Sequence, residues 1–186
     1  LNIEISSNVF IRNFAGIQIT KFPFTVETWY SADILIYNNI ISNNTYGISG
    51  SPYVQNDIVV NIVFNTITNN NRDGLFLNYN ASNVTNNIIF DNGTDIRGFN
   101  TSILFSDTVF ANNISGTDPG FINGLNIIGD PQLVDAVGGN FNLENNSPAI
   151  DAGISIEFAS IDFDYYGENR YLDGDSDGRP CEALCP

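Results

Sequence analysis

Residues Asn65 to Leu77 read Asn-Thr-Ile-Thr-Asn-Asn-Asn-Arg-Asp-Gly-Leu-Phe-Leu: an Asn, a short strand-forming run, a second Asn, a turn ending in Gly, and another strand. The opening six residues recur. Asn8-Val-Phe-Ile-Arg-Asn13, Asn39-Ile-Ile-Ser-Asn-Asn44 and Asn87-Ile-Ile-Phe-Asp-Asn92 repeat them, and Asp107-Thr-Val-Phe-Ala-Asn112 does so with Asp in first place. The first positions are spaced by 31, 26, 22 and 20 residues. Repeats in this range build solenoids, propellers or arrays. Ile3-Glu-Ile5, Ile34-Leu-Ile36 and Val60-Asn-Ile62 lead into the Asn as short alternating strands, and Gly16-Ile-Gln-Ile19 and Gly74-Leu-Phe-Leu77 follow it. β-Branched and aromatic residues suit a pleated, half-buried surface. No run sustains a helical period, and a propeller blade of roughly 40–45 residues is about twice the later units. The expectation is an all-β chain in which each unit is one coil of a parallel β-helix.

The Asn residues have a physical reason to recur. At a corner the chain leaves the β region, and Asn tolerates the left-handed conformation better than most residues. Stacked coils lie about 4.8 Å apart. Asn side chains at equivalent corners can then hydrogen-bond along the stack, as in cross-β ladders. Asn8, Asn39, Asn65, Asn87 and Asp107 are the expected inner ladder, and Asn13, Asn44, Asn70, Asn92 and Asn112 a second register. The N-I-I-x-x-N…G-I-x-I pattern, over roughly residues 1–115, resembles the repeats of right-handed parallel β-helix proteins of the pectate-lyase-like superfamily.

Composition narrows the partners. With 21 acidic and 6 basic residues and no His, the net charge is −15. Nucleic-acid binding rests on clustered Lys and Arg, so that partner is not expected. No run reaches the roughly 18 apolar residues of a membrane span. The charge divides unevenly: −4 over residues 1–117 (4 basic, 8 acidic) and −11 over 118–186 (2 basic, 13 acidic). These ranges mark the expected organisation, regular coils followed by final coils, an irregular acidic cap and an acidic tail. Leu1 enters the first repeat almost at once. An uncovered end coil exposes strand edges, so end-to-end stacking of copies is one expected mode of association. Sequons begin at Asn43, Asn80, Asn83, Asn92, Asn100, Asn113 and Asn145, in a chain with 29 Asn where several arise by chance. They fit a secreted or cell-surface protein.

The C-terminal part carries its own pattern. Asn126-Ile-Ile-Gly-Asp-Pro-Gln-Leu-Val-Asp135, Gly139-Asn-Phe-Asn-Leu143 and Ser147-Pro-Ala-Ile-Asp-Ala-Gly153 resemble the closing signature of choice-of-anchor Q-type proteins. That resemblance implies an extracellular or cell-surface setting without an assigned activity. Asp162-Phe-Asp-Tyr-Tyr-Gly-Glu-Asn-Arg170 and Asp173-Gly-Asp-Ser-Asp-Gly178 continue it, whereas Arg179-Pro-Cys-Glu-Ala-Leu-Cys-Pro186 departs from it.

Several residues are candidates for chemistry. Asp173, Asp175 and Asp177, with Gly178, have the alternate-carboxylate spacing of a calcium turn, with Glu182 as a further ligand. Asp162 and Asp164 are secondary candidates. Trp29 and Tyr30, in the aromatic insertion 21–33, and Tyr53 are candidates for stacking on a glycan. Cys181 and Cys185 are close enough in sequence for a local disulfide. Lyases of the resembled superfamily use Arg or Lys as base beside calcium, which draws attention to Arg72 and Arg97 with Asp73, Asp91 and Asp95. Hydrolysis needs two suitably spaced carboxylates, and no such constellation declares itself. The leading expectation is a non-catalytic extracellular module for surface structure, adhesion, glycan or protein contact, or filament assembly. The alternative is a polysaccharide lyase or glycoside hydrolase. If Asp173–Asp177 hold Ca2+, calcium raises the melting temperature and Asp175→Ala abolishes the rise; a melt unchanged by chelator rules the site out.

Overall fold

A computed structural model describes residues 1–20, 32–50, 58–77, 82–98, 109–111, 114–115, 126–150, 152–153 and 161–169. The repeats form the coils of a parallel β-helix. The first coil contains β1 (Asn2–Ser6), β2 (Val9–Ile11) and β3 (Ala15–Ile19), and the second β4 (Ala32–Tyr37), β5 (Ile40–Ser42) and β6 (Tyr46–Gly50). The third contains β7 (Ile58–Val63), β8 (Thr66–Thr68) and β9 (Asp73–Leu77), and the fourth β10 (Ser82–Thr85), β11 (Ile88–Phe90) and β12 (Thr94–Gly98). β13 (Val109–Ala111), β14 (Ile114–Ser115) and β15 (Ile127–Ile128) extend the stack. Three parallel sheets result. Sheet A is β1-β4-β7-β10-β13, sheet B β2-β5-β8-β11-β14-β15 and sheet C β3-β6-β9-β12. The six-residue motif is thus one middle strand with the corner residue at each end.

Strand alternation sends every second side chain inward. Equivalent residues of successive coils therefore stack in columns: Ile36, Ile62 and Val84 from sheet A, Ile41, Ile67 and Ile89 from sheet B, and Ile48, Leu75 and Ile96 from sheet C. Each is almost completely buried. Burying one such side chain contributes about 1.5–3 kcal/mol.

The corners carry the expected ladders. Asn8 donates its backbone N–H and its Nδ2 to Oδ1 of Asn39, at 3.1 and 3.3 Å. Asn39 does the same to Asn65, at 3.0 Å for both bonds, and Asn65 to Asn87, at 2.9 and 3.1 Å. Each later Nδ2 also reaches backbone carbonyls: Asn65 Nδ2 donates to Ile36 O and Val63 O, and Asn87 Nδ2 to Ile62 O and Thr85 O. The second register repeats the scheme through Asn44 and Asn70, both buried. The fifth repeat needs correction: Val109–Ala111 pairs with Asn83–Thr85 in sheet A, and Ile114 takes the place beside Ile88 in sheet B, so the expected match of Asp107–Asn112 to Asn87–Asn92 does not hold; Asp107 and Asn112 themselves lie outside the described residues.

One expectation about these corners needs correction. The left-handed residue is not the rung Asn but the residue before it. Ser7, Asn38, Phe64 and Asn86 have φ of 53°, 53°, 55° and 58° at the first corner, and Arg12, Asn43, Asn69 and Asp91 take 61°, 57°, 56° and 56° at the second. The rung residues are not left-handed, and their N–H and side chain point along the stack together.

The chain then returns over the outside. β16 (Leu133–Asp135) and β17 (Asn140–Leu143) form an antiparallel hairpin. Ser147 Oγ donates to Pro131 O and accepts from Ala149 N, tying the Asp-Pro and Ser-Pro-Ala motifs together. Leu143 and Ala149 pack with Val63, Phe64 and Ile88, and Leu35, Tyr37, Phe90, Leu133 and Ile161 join them. Asn38 Nδ2 donates to Phe163 O at 2.7 Å. The described part of the irregular C-terminal cap therefore covers the flank where sheets A and B meet, reaching back to the second coil. Phe64 illustrates the trade. A bulky residue in the left-handed region costs about 1–2 kcal/mol, and burial of its ring beneath this segment offsets that.

Asn65→Leu removes three donated bonds and the acceptor that Asn39 uses. Unsatisfied buried polar groups cost roughly 1–3 kcal/mol each, so the expected loss in chemical denaturation is several kcal/mol. The exposed Asn142→Ala, on β17 and away from any left-handed corner, is expected to change stability by less than ~1 kcal/mol; equal losses at both positions would contradict the ladder.

Candidate functional site

With one flank covered, the open part of sheet A is a surface shaped to receive a ligand. Alternation turns Asn2, Glu4, Asp33, Leu35, Asn61 and Asn83 outward, because Ile34, Ile36, Val60, Ile62 and Val84 are committed to the core. Register aligns them. Asn2 stands beside Asp33, and Glu4, Leu35, Asn61 and Asn83 follow one another across β1, β4, β7 and β10. An open groove of about 460 Å3 runs here, lined by Asn2, Ile3, Glu4, Asp33, Ile34, Leu35 and Asn61. Asn83 Nδ2 donates to Asn61 Oδ1 at 2.6 Å, a short external amide pair continuing the row. Glu4 is held at the edge of the groove: its Oε1 accepts from Tyr37 Oη at 2.5 Å and from Ser6 Oγ at 3.2 Å. The groove therefore offers two carboxylates and two amides around Leu35, with neither Arg nor Lys among its lining residues.

The bond to the Glu4 carboxylate holds the Tyr37 phenol above its ordinary range, with burial adding to the effect and the Ser6 bond opposing it. The proton on Tyr37 is thus favoured by the folded state. Its contribution is complete below the ordinary phenol range near pH 10 and is lost as pH rises through the higher folded value.

The residues considered for catalysis are otherwise engaged. Arg97 donates to the buried carboxylate of Asp73 and lies over the Phe76 ring, 4.7 Å from its centroid. Arg72 donates to Tyr46 Oη at 2.6 Å and lies 5.7 Å from that ring's centroid, and Tyr46 meets Phe14 edge-on. These contacts line the sheet C side and make a cation–π strip. Asp95 is buried and accepts from both donors of Asn92, while Asp91 is a left-handed corner residue. Asp91 and Asp95 therefore serve the corner rather than forming a free carboxylate pair.

Asp164 is buried in a turn, its backbone N–H donating to Glu168 O and its Oδ1 accepting from Glu168 N. Asp162 is exposed, and the turn lines an open cleft of about 430 Å3 with Ser7, Tyr37 and Asn38. Trp29, Tyr30, Tyr53, Asp173, Asp175, Asp177, Glu182, Cys181 and Cys185 lie outside the described residues. Among the described residues no group of three or more His, Cys, Asp or Glu side chains is placed to hold a metal ion, and no helix is long and apolar enough to cross a membrane.

Sequence reading missed the groove. Its signal was present: Asn61 and Asn83 each stand four residues before a ladder Asn, which places them on one outward column once the coils are in register. No protein-family model, curated protein or solved structure matches the chain.

In an alkaline absorbance titration, the difference between the wild type and Tyr37→Phe is expected to report a phenol ionising above the ordinary range. Glu4→Gln brings it down; a Tyr37 titration indifferent to Glu4→Gln would refute the coupling.

Proposed function

We propose that this chain is a non-catalytic β-helix module that contacts a glycan along the open face of sheet A. The observation that carries the reading is the groove itself. Asn2, Glu4, Asp33 and Asn61 present hydrogen-bonding groups at the spacing of stacked strands, around the outward apolar side chain of Leu35. Repeating polar groups on a rigid surface suit a repeating, hydroxyl-rich ligand, and a few placed polar groups over apolar surface are the usual make-up of a binding site. The engagement of Asp73 by Arg97 and of Asp95 by Asn92 supports a binding role over a catalytic one. An extracellular setting belongs to the same proposal, supported by the resemblance of the Ser147–Gly153 segment, as does calcium at Asp173–Asp177.

One observation favours the second reading, a glycoside hydrolase. Glu4 and Asp33 share the groove. Their register makes them diagonal neighbours, at a separation on the order of 7 Å. That falls within the roughly 6.5–9.5 Å used by inverting enzymes.

Affinity electrophoresis against a panel of neutral and acidic polysaccharides separates the readings. The expected result is retardation by at least one polymer without release of reducing ends. Asp33→Ala is expected to weaken that binding about tenfold, roughly 1.4 kcal/mol, with an unchanged melt. Retardation by none of the panel sinks the binding proposal, and reducing ends lost in Glu4→Gln would establish the hydrolase.

A further inference from the structure

Two requirements meet at the second corner of the fourth coil. The rung position calls for Asn, because Asn92 Oδ1 accepts the backbone N–H of Asn70 at 3.1 Å and its Nδ2 at 2.8 Å. The next position calls for a residue without a side chain. A Cβ on Gly93 would lie 2.5 Å from Asn71 O, 2.7 Å from Arg72 O and 3.0 Å from Arg72 Cα. These are backbone atoms of the coil before, which cannot turn aside as a side chain would. The other described rungs are followed by larger residues: Val9, Ile40, Thr66 and Ile88 in the first register, Phe14, Thr45 and Asn71 in the second. Packing at this corner therefore enforces the dipeptide Asn92-Gly93.

That dipeptide is chemically labile. Asn is among the thermolabile residues, and a following Gly leaves the main-chain nitrogen unshielded and free to approach the Asn side chain. In the reaction the Gly93 nitrogen bonds to Cγ of Asn92 and the Cγ–Nδ2 bond breaks. The proton of Gly93 N passes to Nδ2, which departs as ammonia and leaves a five-membered imide. Water then opens the imide at either carbonyl, giving aspartate or its β-linked isomer.

The fold occupies the groups that this reaction needs. Gly93 N–H donates to Asn70 O at 3.0 Å. Asn92 Nδ2 donates toward Asp95 Oδ1, Ile67 O and Phe90 O at 3.0, 3.0 and 3.2 Å, while Asn70 holds its Oδ1. Attack requires the side chain and the Gly93 nitrogen to leave these partners together. We propose that Asn92-Gly93 is a latent deamidation site that the ladder keeps closed, so that ammonia is lost only when the fourth coil opens locally. The product carries a carboxylate oxygen where Nδ2 stood, facing the carboxylate of Asp95 and the carbonyls of Ile67 and Phe90. Acceptor then meets acceptor, so each event weakens the corner that had prevented it. The inference does not rest on the glycan reading.

Incubation of the chain at mildly alkaline pH, folded and in urea, tests it. Cleavage at Arg72 and Arg97 releases Asp73–Arg97, which contains Asn92 and excludes the other Asn-Gly of the chain, Asn123-Gly124. Mass spectrometry of that fragment locates the change from amide to acid. In urea, Asn92 is expected to react at least about tenfold faster than Asn80, Asn83, Asn86 or Asn87. In the folded chain its rate is expected to fall at least about tenfold, because only the open fraction reacts. A folded rate equal to the unfolded one, or no preference for Asn92 in urea, overturns the proposal. The second measurement needs no incubation. Asn92→Asp places the product's carboxylate in the corner and is expected to lower the melting temperature by several degrees, as the loss of buried hydrogen bonds in a chain of this size requires. An unchanged melting temperature overturns the coupling between the amide and the corner.

Discussion

Everything in this structure depends on how the corners between short strands are satisfied. A coil with strands of three to six residues must turn sharply three times, and each turn frees backbone groups inside a stack that water does not reach. The Asn rung answers this at two of the corners. One side chain accepts from the coil before, donates to the coil after, and donates again to carbonyls of neighbouring strands, as Asn65 does with Asn39, Asn87, Ile36 and Val63. Because its partners are other Asn residues, the motif is required in every coil. Because it spans only from one corner to the next, the connections elsewhere are free to vary, and the spacing shrinks from 31 to 22 residues while the middle strands stay in register.

The interior is thus spent on structure, and the outside carries the differences. The flank between sheets A and B is covered by the returning chain, which uses the exposed corner residues as its attachment points: Asn38 supplies a hydrogen bond and Phe64 an apolar anchor. Sheet C carries rings and guanidinium groups that engage one another. What remains open is the outer face of sheet A, where the polar groups that neither ladder nor flank needs are collected. A groove on a solenoid does not require a special loop; it arises wherever one outward column is left uncovered between bulkier neighbours.

Much of the ladder was legible in the chain because it depends on composition at fixed spacing. Asn8, Asn39, Asn65 and Asn87 could be named from six-residue matches alone. The left-handed residue could not, since Ser, Arg, Phe, Asn and Asp all occupy that place. Its conformation is imposed by the turn and is not announced by residue type. Asp95 was read as one more acid near an Arg. Only the register of four strands reveals that it stands in line with Gly16, Gly47 and Gly74. The groove was hidden for the same reason: Asn2, Glu4, Asp33 and Asn61 are scattered through two coil lengths of sequence and meet only across strands. The flanking segment was legible as a motif but not as a location, since nothing in Ser147-Pro-Ala-Ile150 says which coils it will touch.

The ladder also has a direction. From Asn8 to Asn87 and from Asn13 to Asn92 each later rung's Oδ1 accepts from the coil before, and the backbone N–H of each preceding rung points toward it, so these groups align along the stack. The stack is in this respect the counterpart of an α-helix, with partial negative charge gathered at Asn8 and Asn13 and partial positive charge at the far end. A carboxylate at Asp95 meets that positive end as acidic residues meet helix N-termini. The solenoid is therefore an electrically polar object, and a coil inserted with its corners reversed would face hydrogen to hydrogen across one junction and oxygen to oxygen across the other.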